Sequence, residues 1–169
     1  MDAIECIHTR RSIRKYEDKD VPDDLIKQIL EAAMTAPSAG NQQPWHFIVI
    51  KDRKLLAKIT EFHEYAQMCK DAHMAILVCG DINSVKYKDM WEQDCSAATQ
   101  NILLAAHALG LGAVWCGVYP RELKMQGFLK LLGIPEKIIP FSLVPIGYPA
   151  QKSGKVERYK KEKVHNDKW

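Results

Sequence analysis

The chain has 169 residues, of which 47% are hydrophobic and 27% are charged, and its formal net charge is +3. This length predicts one domain with a core large enough for independent folding. The small positive charge argues against a nucleic-acid-binding protein, and the apolar runs are too short to cross a bilayer. Five cysteines without a CxxC pair favour reduced thiols and a cytoplasmic protein over a disulfide framework or a zinc site. No secretory leader is recognisable.

Amphipathic patterns predict five helices, four of them with recognisable end signals. Asp2 is a candidate N-cap for the first helix, and Pro22 followed by two acids opens the second. Gly110 and Gly133 are expected to end the two last helices in the left-handed conformation. The predicted helices cover residues 2–9, 22–36, 53–62, 92–109 and 121–132.

Runs rich in β-branched and aromatic residues predict four strands, over residues 45–50, 75–81, 111–119 and 139–149. The last of them contains Pro145, which favours an edge position or an irregularity in the sheet because proline cannot donate a ladder hydrogen bond. No glycine-rich loop joins a strand to a helix, so a Rossmann or P-loop nucleotide site is not expected. After Pro149 the chain is polar and aperiodic, although it ends on Trp169.

A basic cluster follows the first helix, in the sequence RRSIRKY. Its members Arg10, Arg11, Ser12 and Arg14 suit a phosphate group, because guanidinium groups bind phosphate through charge-assisted bidentate hydrogen bonds and serine adds a further donor. The alternative is a solvated basic turn.

A loop of small and amide residues runs into the first predicted strand, in the sequence APSAGNQQPWHFIVI (residues 36–50). Amides can donate and accept hydrogen bonds along the polar edge of a planar ring. The same residue types also form ordinary turns, which is the alternative. Together with the basic cluster, the loop suggests a phosphorylated heterocyclic cofactor.

Several segments in this order resemble the nitroreductase family of FMN-dependent oxidoreductases, in its short stand-alone branch. They are residues 10–16, 36–50, 91–119, 144–149 and 158–169, so the resemblance covers nearly the whole chain. It implies an α+β fold with a central, mostly antiparallel sheet wrapped by helices. It also implies a single nitroreductase-like domain over residues 1–169 and an intertwined homodimer with FMN in the subunit interface. The C-terminal extension, residues 150–169, is expected to dock on the partner subunit.

The resemblance assigns the phosphate and ribityl chain of FMN to Arg10, Arg11, Ser12 and Arg14. The alternative for one of these arginines is the pyrimidine edge of the flavin. It adds a late basic residue, Arg158, at the phosphate. Relatives often have a second basic residue two positions earlier, where this chain has a valine, Val156, with Lys155 as a possible substitute.

Two further sets of residues match flavin-contacting positions of the family. The loop set, expected to pack against the isoalloxazine held by the partner, comprises Pro37, Ser38, Ala39, Asn41 and Gln43. The strand set, expected at one face and edge of the ring, comprises Trp115, Cys116, Gly117 and Val118. Within it, Gly117 permits close backbone approach, and a backbone N–H near flavin N5 is implied. A core aromatic is the alternative for Trp115, and a small buried hydrophobe is the favoured interpretation of Cys116.

The implied function is transfer of a hydride from NADH or NADPH to flavin N5, followed by reduction of a nitroaromatic, quinone or similar small acceptor in a ping-pong mechanism. The flavin does the chemistry, so no catalytic side chain is named, and the six histidines lack metal-ligand spacing. One alternative is other flavin chemistry on the same fold, such as dehalogenation or heterocycle dehydrogenation. Others are a flavin-binding module without turnover and, least favoured, a nucleic-acid-binding domain using the basic cluster. Neither a nucleic acid nor a membrane is an expected partner.

Overall fold

Helices lie on both faces of a five-stranded sheet in the computed structural model, which describes residues 1–152, 154 and 156–169. The helices of the described residues are α1 (Ala3–Thr9), α2 (Asp23–Met34), α3 (Arg53–Phe62), α4 (Trp91–Ala108) and α5 (Glu122–Leu132). The strands are β1 (Trp45–Ile50), β2 (Met74–Asp81), β3 (Gly112–Ala113), β4 (Cys116–Gly117) and β5 (Ile138–Gly147). Short 3₁₀ segments cover Ala39–Asn41, Glu64–Lys70 and Lys161–Lys163.

The sheet has the order β1-β2-β5-β3, and β4 also pairs with β5. The four strand pairings are antiparallel, and one parallel bridge joins Ser12 to Ala113. The α+β fold and the mostly antiparallel sheet predicted from the sequence are therefore confirmed.

Strand β2 lies at the centre of the molecule and is buried along its whole length. Because successive side chains of a strand point to opposite faces, it contributes to two cores. Met74, Ile76 and Val78 pack in the cluster that includes buried residues of α2 and α4. The residues between them pack in the cluster that includes buried residues of α3 and α5. A near-continuous apolar run is therefore what this strand position requires.

The predicted helix ends agree with the structure. The side chain of Asp2 accepts a hydrogen bond of 2.9 Å from the backbone N–H of Glu5. Gly110 and Gly133 both adopt positive φ, 78° and 62°, so the left-handed termination predicted for each is confirmed. The longest helix begins at Trp91, one residue earlier than the pattern indicated.

The strand predicted over residues 111–119 is divided into two short strands, β3 and β4, separated by Val114 and Trp115. Both pair with β5 in one continuous register, in which Val114 would face Pro145. Hydrogen-bonded and non-hydrogen-bonded pairs alternate along an antiparallel ladder. The Val118 N–H donates to Phe141 O at 3.2 Å, so Val118 and Phe141 are a hydrogen-bonded pair. Every second pair along the ladder is of the same kind, and the pair of Val114 and Pro145 is therefore also at a hydrogen-bonded position. Proline has no N–H to donate there, so the ladder is interrupted.

Pro145 therefore lies at an irregularity, as the sequence suggested, but the alternative of an edge strand is wrong. β5 lies between β2 on one side and β3 and β4 on the other. A proline is tolerated in this central strand because its nitrogen faces the gap between β3 and β4, while its pairing with Ala75 of β2 remains.

The last residues of the chain lie on the surface. Residues 156–169 are exposed throughout. Trp169 is fully exposed, and its ring stacks on that of His165 with 4.3 Å between the ring centroids. None of the described helices combines the length and apolar character needed to cross a bilayer.

Candidate active site

Two pockets lie along the non-helical segment that follows α1. The first, the arginine pocket, has a volume of about 790 Å³ and is lined by Glu5, Ile7, His8, Thr9, Arg10, Arg11, Val156, Glu157, Arg158 and Tyr159. The second, the Gly117 pocket, has a volume of about 670 Å³ and is lined by Arg14, Glu64, Tyr65, Gln67, Met68, Val114, Trp115, Cys116, Gly117, Tyr119, Pro120, Arg121 and Lys124. Each pocket is large enough for part of a cofactor.

Three guanidinium groups converge on the arginine pocket. The pKa of half-buried Arg10 is lowered, first by burial and then by the nearby charges of Arg158 and Arg11. Like charges placed together at partial burial raise the free energy of the empty site, and a bound anion offsets that cost. The late arginine and the early cluster, 148 positions apart from Arg10 to Arg158, thus meet at one place, as the resemblance implied.

Arg11 differs from its two neighbours because its donors are engaged within the chain. Its Nη1 donates to the backbone oxygens of His8 and Arg10 at 2.8 and 2.7 Å, and its Nε donates to Gly154 O at 3.3 Å. The side chain therefore braces the end of α1 against the start of the C-terminal extension. Lys155, the possible extra cation, lies outside the described residues.

Thr9 and His107 form a hydrogen-bonded pair at the wall of the arginine pocket. The Thr9 hydroxyl donates its single hydrogen to Glu5 O at 2.7 Å, so it accepts at 2.8 Å from His107 Nε2. Burial and then the charges of Arg10 and Arg11 lower the pKa of His107. The ring is thus neutral near pH 7 and carries its proton on Nε2. Neither residue belongs to a recognisable motif, and only the fold brings them to the pocket.

Residues 10–14, here called the basic segment, connect the two pockets. Arg10 lines the arginine pocket and Arg14 lines the Gly117 pocket. Between them Ser12 is half-buried beside β3 and lines neither pocket. Four residues of extended chain span at most about 14 Å, so a molecule with an anionic end and a planar end can reach from one pocket to the other.

The main chain of Gly117 faces its pocket rather than the sheet. Val118 N–H donates to Phe141 O of β5, so the alternation directs the N–H and C=O of Gly117 away from β5. Its C=O lies 3.0 Å from His63 Nε2 on that side. A Cβ placed on Gly117 would meet no atom within 4 Å, so the bare backbone leaves open space for a flat ligand beside a main-chain donor.

The other strand residues predicted at the flavin behave differently from one another. Trp115 is half-buried, packs against Phe141 with 5.9 Å between ring centroids, and also lines the pocket. Cys116 is buried, and burial raises the pKa of its thiol to about 11, which agrees with a small apolar side chain rather than a redox thiol. Val118 is fully buried and does not line the pocket.

The wall facing this strand comes from elements that no sequence motif indicated. The 3₁₀ segment Glu64–Lys70 contributes Tyr65, Gln67 and Met68, and the start of α5 contributes Lys124. The Lys124 ammonium lies 3.3 Å from Glu64 Oε1 and 4.8 Å from the centroid of the Tyr65 ring. The pocket therefore holds a salt bridge and two further cations, Arg14 and Arg121.

The loop predicted to contact the flavin is held on α4 by a buried carboxylate. Asp94 accepts from the backbone N–H of Ala39 at 2.9 Å and from Gln42 Nε2 at 3.0 Å. The Gln42 side chain also exchanges hydrogen bonds of 3.0 Å with the backbone of Tyr87. Gln42 was not among the predicted site residues, because its role is to bond residues that are distant in sequence.

Within the loop, short-range hydrogen bonds complete the shape. Ser38 Oγ accepts from the backbone N–H of Gln43, and the Gln43 side chain donates to Asn41 Oδ1. Gly40, Asn41 and Gln43 all have positive φ, between 49° and 56°, a conformation that is costly for residues with side chains and persists only where the surroundings impose it.

This loop lines neither pocket of its own chain. Apart from Ser12 and Val118, which line neither pocket, the predicted site residues form three groups. The structure brings Arg10, Arg11 and Arg158 together, and separately Arg14 with Trp115, Cys116 and Gly117. It leaves the group Pro37, Ser38, Ala39, Asn41 and Gln43 apart from both. Among the described residues, no three histidine, cysteine, aspartate or glutamate side chains are placed to share a metal ion.

Comparison with known proteins gives consistent matches over the whole chain. The sequence profile of the nitroreductase family matches residues 7–64 and 63–148. A candidate NADH dehydrogenase/NAD(P)H nitroreductase of Methanothermobacter thermautotrophicus is 54% identical, over 100% of this chain and 88% of the relative.

Two solved structures are similar to this chain over nearly its whole length. An FMN-dependent nitroreductase from Clostridium difficile superposes with a TM-score of 0.92 at 30% identity, covering 98% of this chain and 99% of the other. A candidate nitroreductase from Desulfovibrio desulfuricans, solved in complex with FMN, superposes with a TM-score of 0.86 at 32% identity, covering 100% and 99%. From its sequence and its fold, the chain belongs to the nitroreductase family.

Proposed function

We propose that the protein is an FMN-dependent oxidoreductase that takes reducing equivalents from NADH or NADPH and passes them to a nitroaromatic, quinone or similar small acceptor. The observation that carries the proposal is the pair of pockets joined by the basic segment, one anion-binding and one with an open main-chain surface at Gly117. The relatives named above, one FMN-dependent and one solved with FMN, support the choice of cofactor.

The residues fit FMN from end to end. Arg10 and Arg158 would hold the phosphate in the arginine pocket, with Arg11 bracing the wall. Ser12, on the segment between the pockets, would bind the ribityl chain. The flat face of Gly117 would lie against the ring, with Arg14 at the same pocket as the cation for its pyrimidine edge.

When bound, FMN supplies the redox chemistry by accepting a hydride at N5 and returning electrons to an acceptor. The protein's part is to bind and orient. A cation such as Arg14 would stabilise negative charge that develops on the flavin. The Gly117 N–H would offer the flavin a main-chain donor, and no side-chain nucleophile is required. Because the pocket is open, the nicotinamide and the electron acceptor can bind at the same place one after the other, as a ping-pong mechanism requires.

We further propose that the active unit is a homodimer. The loop held by Asp94 lies apart from both pockets of its own chain, so it can complete a site only on another copy. The exposed C-terminal extension carries Val156, Tyr159, Val164 and Trp169 on its surface. Apolar side chains without cover in their own subunit are suited to docking on a partner.

The purified protein is expected to be yellow and to show flavin absorption. Anaerobic mixing with NADH or NADPH should bleach that absorption, and a nitroaromatic or quinone should restore it. The measurement is stopped-flow absorbance with each nicotinamide in turn. A colourless protein that takes up no added FMN would contradict the proposal, and bound FMN that neither nicotinamide bleaches would instead indicate a binding module without turnover.

Substitution Arg10→Ala should weaken FMN binding roughly 10- to 150-fold, because a charge-assisted hydrogen bond contributes roughly 1.5–3 kcal/mol. The dissociation constant can be measured by quenching of FMN fluorescence. Lys15→Ala is the matched control, since Lys15 is exposed on the same segment and lines neither pocket. Equal weakening by both substitutions would reject a specific role for Arg10.

Mixed dimers test whether the loop acts across subunits. One chain carries Arg10→Glu, which removes its own phosphate site, and the other carries Ser38→Ala with Asn41→Ala. If each loop serves the partner's flavin, a mixed dimer has one site with all the changes and one site with none. Mixed dimers isolated with two affinity tags should then regain about half the activity of the unchanged dimer. If loop and arginine act within one chain, both sites stay defective and no activity returns.

The two cations outside the Lys124–Glu64 salt bridge, Arg14 and Arg121, favour acceptors with negative charge. Arg121→Ala should raise KM for 4-nitrobenzoate about fivefold, since an exposed ion contact contributes up to about 1 kcal/mol. The KM for neutral nitrobenzene should change less than twofold. Steady-state kinetics with both acceptors measures the difference, and an equal effect on the two would show that Arg121 does not select for charge.

A further inference from the structure

His63 is a fully buried polar residue directly behind the Gly117 pocket. It lies between α3 and the 3₁₀ segment Glu64–Lys70 and has no exposed surface. Its ring meets Phe128 edge-on, with 6.4 Å between centroids, and its Nε2 lies 3.0 Å from Gly117 O. It lines neither pocket, so it cannot contact a bound ligand itself.

The bond to Gly117 fixes the tautomer of His63. A carbonyl oxygen only accepts hydrogen bonds, so Nε2 carries the proton. The other nitrogen, Nδ1, is buried and has no hydrogen-bond partner among the described residues. Burial and then the charge of Lys124 lower the pKa of the ring, partly opposed by the Gly117 carbonyl and by Glu64. The ring therefore stays neutral, with its one donor committed to the Gly117 carbonyl.

The peptide between Gly117 and Val118 is thereby held at both ends. Its oxygen accepts from His63, and its N–H donates to Phe141 O at 3.2 Å. Strand β4 has two residues, and the ladder preceding it is interrupted opposite Pro145. Glycine has no side chain to restrict its dihedral angles, so the sheet alone restrains this residue weakly. The His63 bond supplies the missing restraint on the side that faces away from β5.

We propose that His63 is a positioning residue, which aims the Gly117 N–H at the reacting edge of the flavin by holding the Gly117 carbonyl. The inference rests on the proposed function, because it assumes FMN in the Gly117 pocket. It assigns His63 no contact with cofactor or substrate. Its action is on orientation, so its removal slows the chemical step more than it weakens binding.

The first test is His63→Leu in the FMN-loaded protein, with Phe128→Leu as a control that loosens the same core without touching the Gly117 carbonyl. In His63→Leu the rate constant for flavin bleaching by NAD(P)H should fall tenfold or more, while the nicotinamide and FMN dissociation constants change less than threefold. His63→Gln should restore the rate to within threefold, because its amide N–H can take the place of Nε2–H. Equal rates in His63→Leu and the parent, or equal slowing in Phe128→Leu, would overturn the inference.

The second test needs neither FMN nor a variant that folds well. In the parent protein labelled with ¹⁵N-histidine and free of FMN, NMR should show His63 at pH 7 as the neutral Nε2–H tautomer, because Gly117 O accepts from Nε2 and burial lowers the pKa of the ring. A Nδ1–H tautomer or a charged ring at pH 7 would overturn the inference, even if the parent binds FMN. A parent that takes up no FMN would instead contradict the proposed function, and the spectrum would still decide whether His63 holds Gly117.

Discussion

The register of residues 112–118 against β5 determines how the candidate active site is built. In an antiparallel ladder every second residue turns its N–H and C=O away from the partner strand. In this register those residues include Ala113 and Gly117. The carbonyl of Ala113 accepts from the N–H of Ile13 at 3.0 Å, which attaches the basic segment to the sheet. Gly117 faces the pocket. A shift by one residue would exchange the two sides and remove both features.

The basic segment takes its position from this attachment. Ile13 is buried, and its side chain fills the space above Gly112, where a Cβ would come within 2.6 Å of it. Because Ile13 is fixed between them, Arg10 and Arg14 lie at opposite ends of the segment. Arg10 lines the arginine pocket and Arg14 lines the Gly117 pocket. The side chain of Gln151 accepts from the backbone N–H of Arg14 and Lys15, so the beginning of the C-terminal extension also depends on the same strand.

Local signals in the sequence were sufficient for most of the fold, whereas the meeting of Arg158 with the early arginines was implied only by the resemblance to the nitroreductase family. Helix caps at Asp2, Gly110 and Gly133 depend on nearby residues and could be predicted from them. The division of the predicted third strand could not be predicted in this way. It is caused by Pro145, which lies on another strand, and the effect of this proline depends on the register between the two strands. The same holds for the 3₁₀ wall of the Gly117 pocket and for His63, whose roles arise only from tertiary contacts.

The loop at residues 37–43 shows the limit of sequence reasoning in another way. Its amides suggested direct ligand contacts, yet Gln42 is used to tie the loop to Tyr87 and to Asp94 of α4. The positive φ values of Asn41 and Gln43, which both carry side chains, indicate that the surroundings impose the loop's shape. A loop so constrained is ordered before it meets a ligand or a partner, and little conformational entropy is lost when it does.

The open main chain at Gly117 has a consequence for how such an enzyme can diverge. A donor that belongs to the backbone survives every substitution except proline, so mutation seldom removes it. The side chains that surround it come from other elements, the 3₁₀ segment and the start of α5. Those residues can change without disturbing the ladder that holds β4 on β5. In the proposed site, new acceptors would be selected by altering Tyr65, Gln67 or Arg121, while the backbone at Gly117 is inherited unchanged.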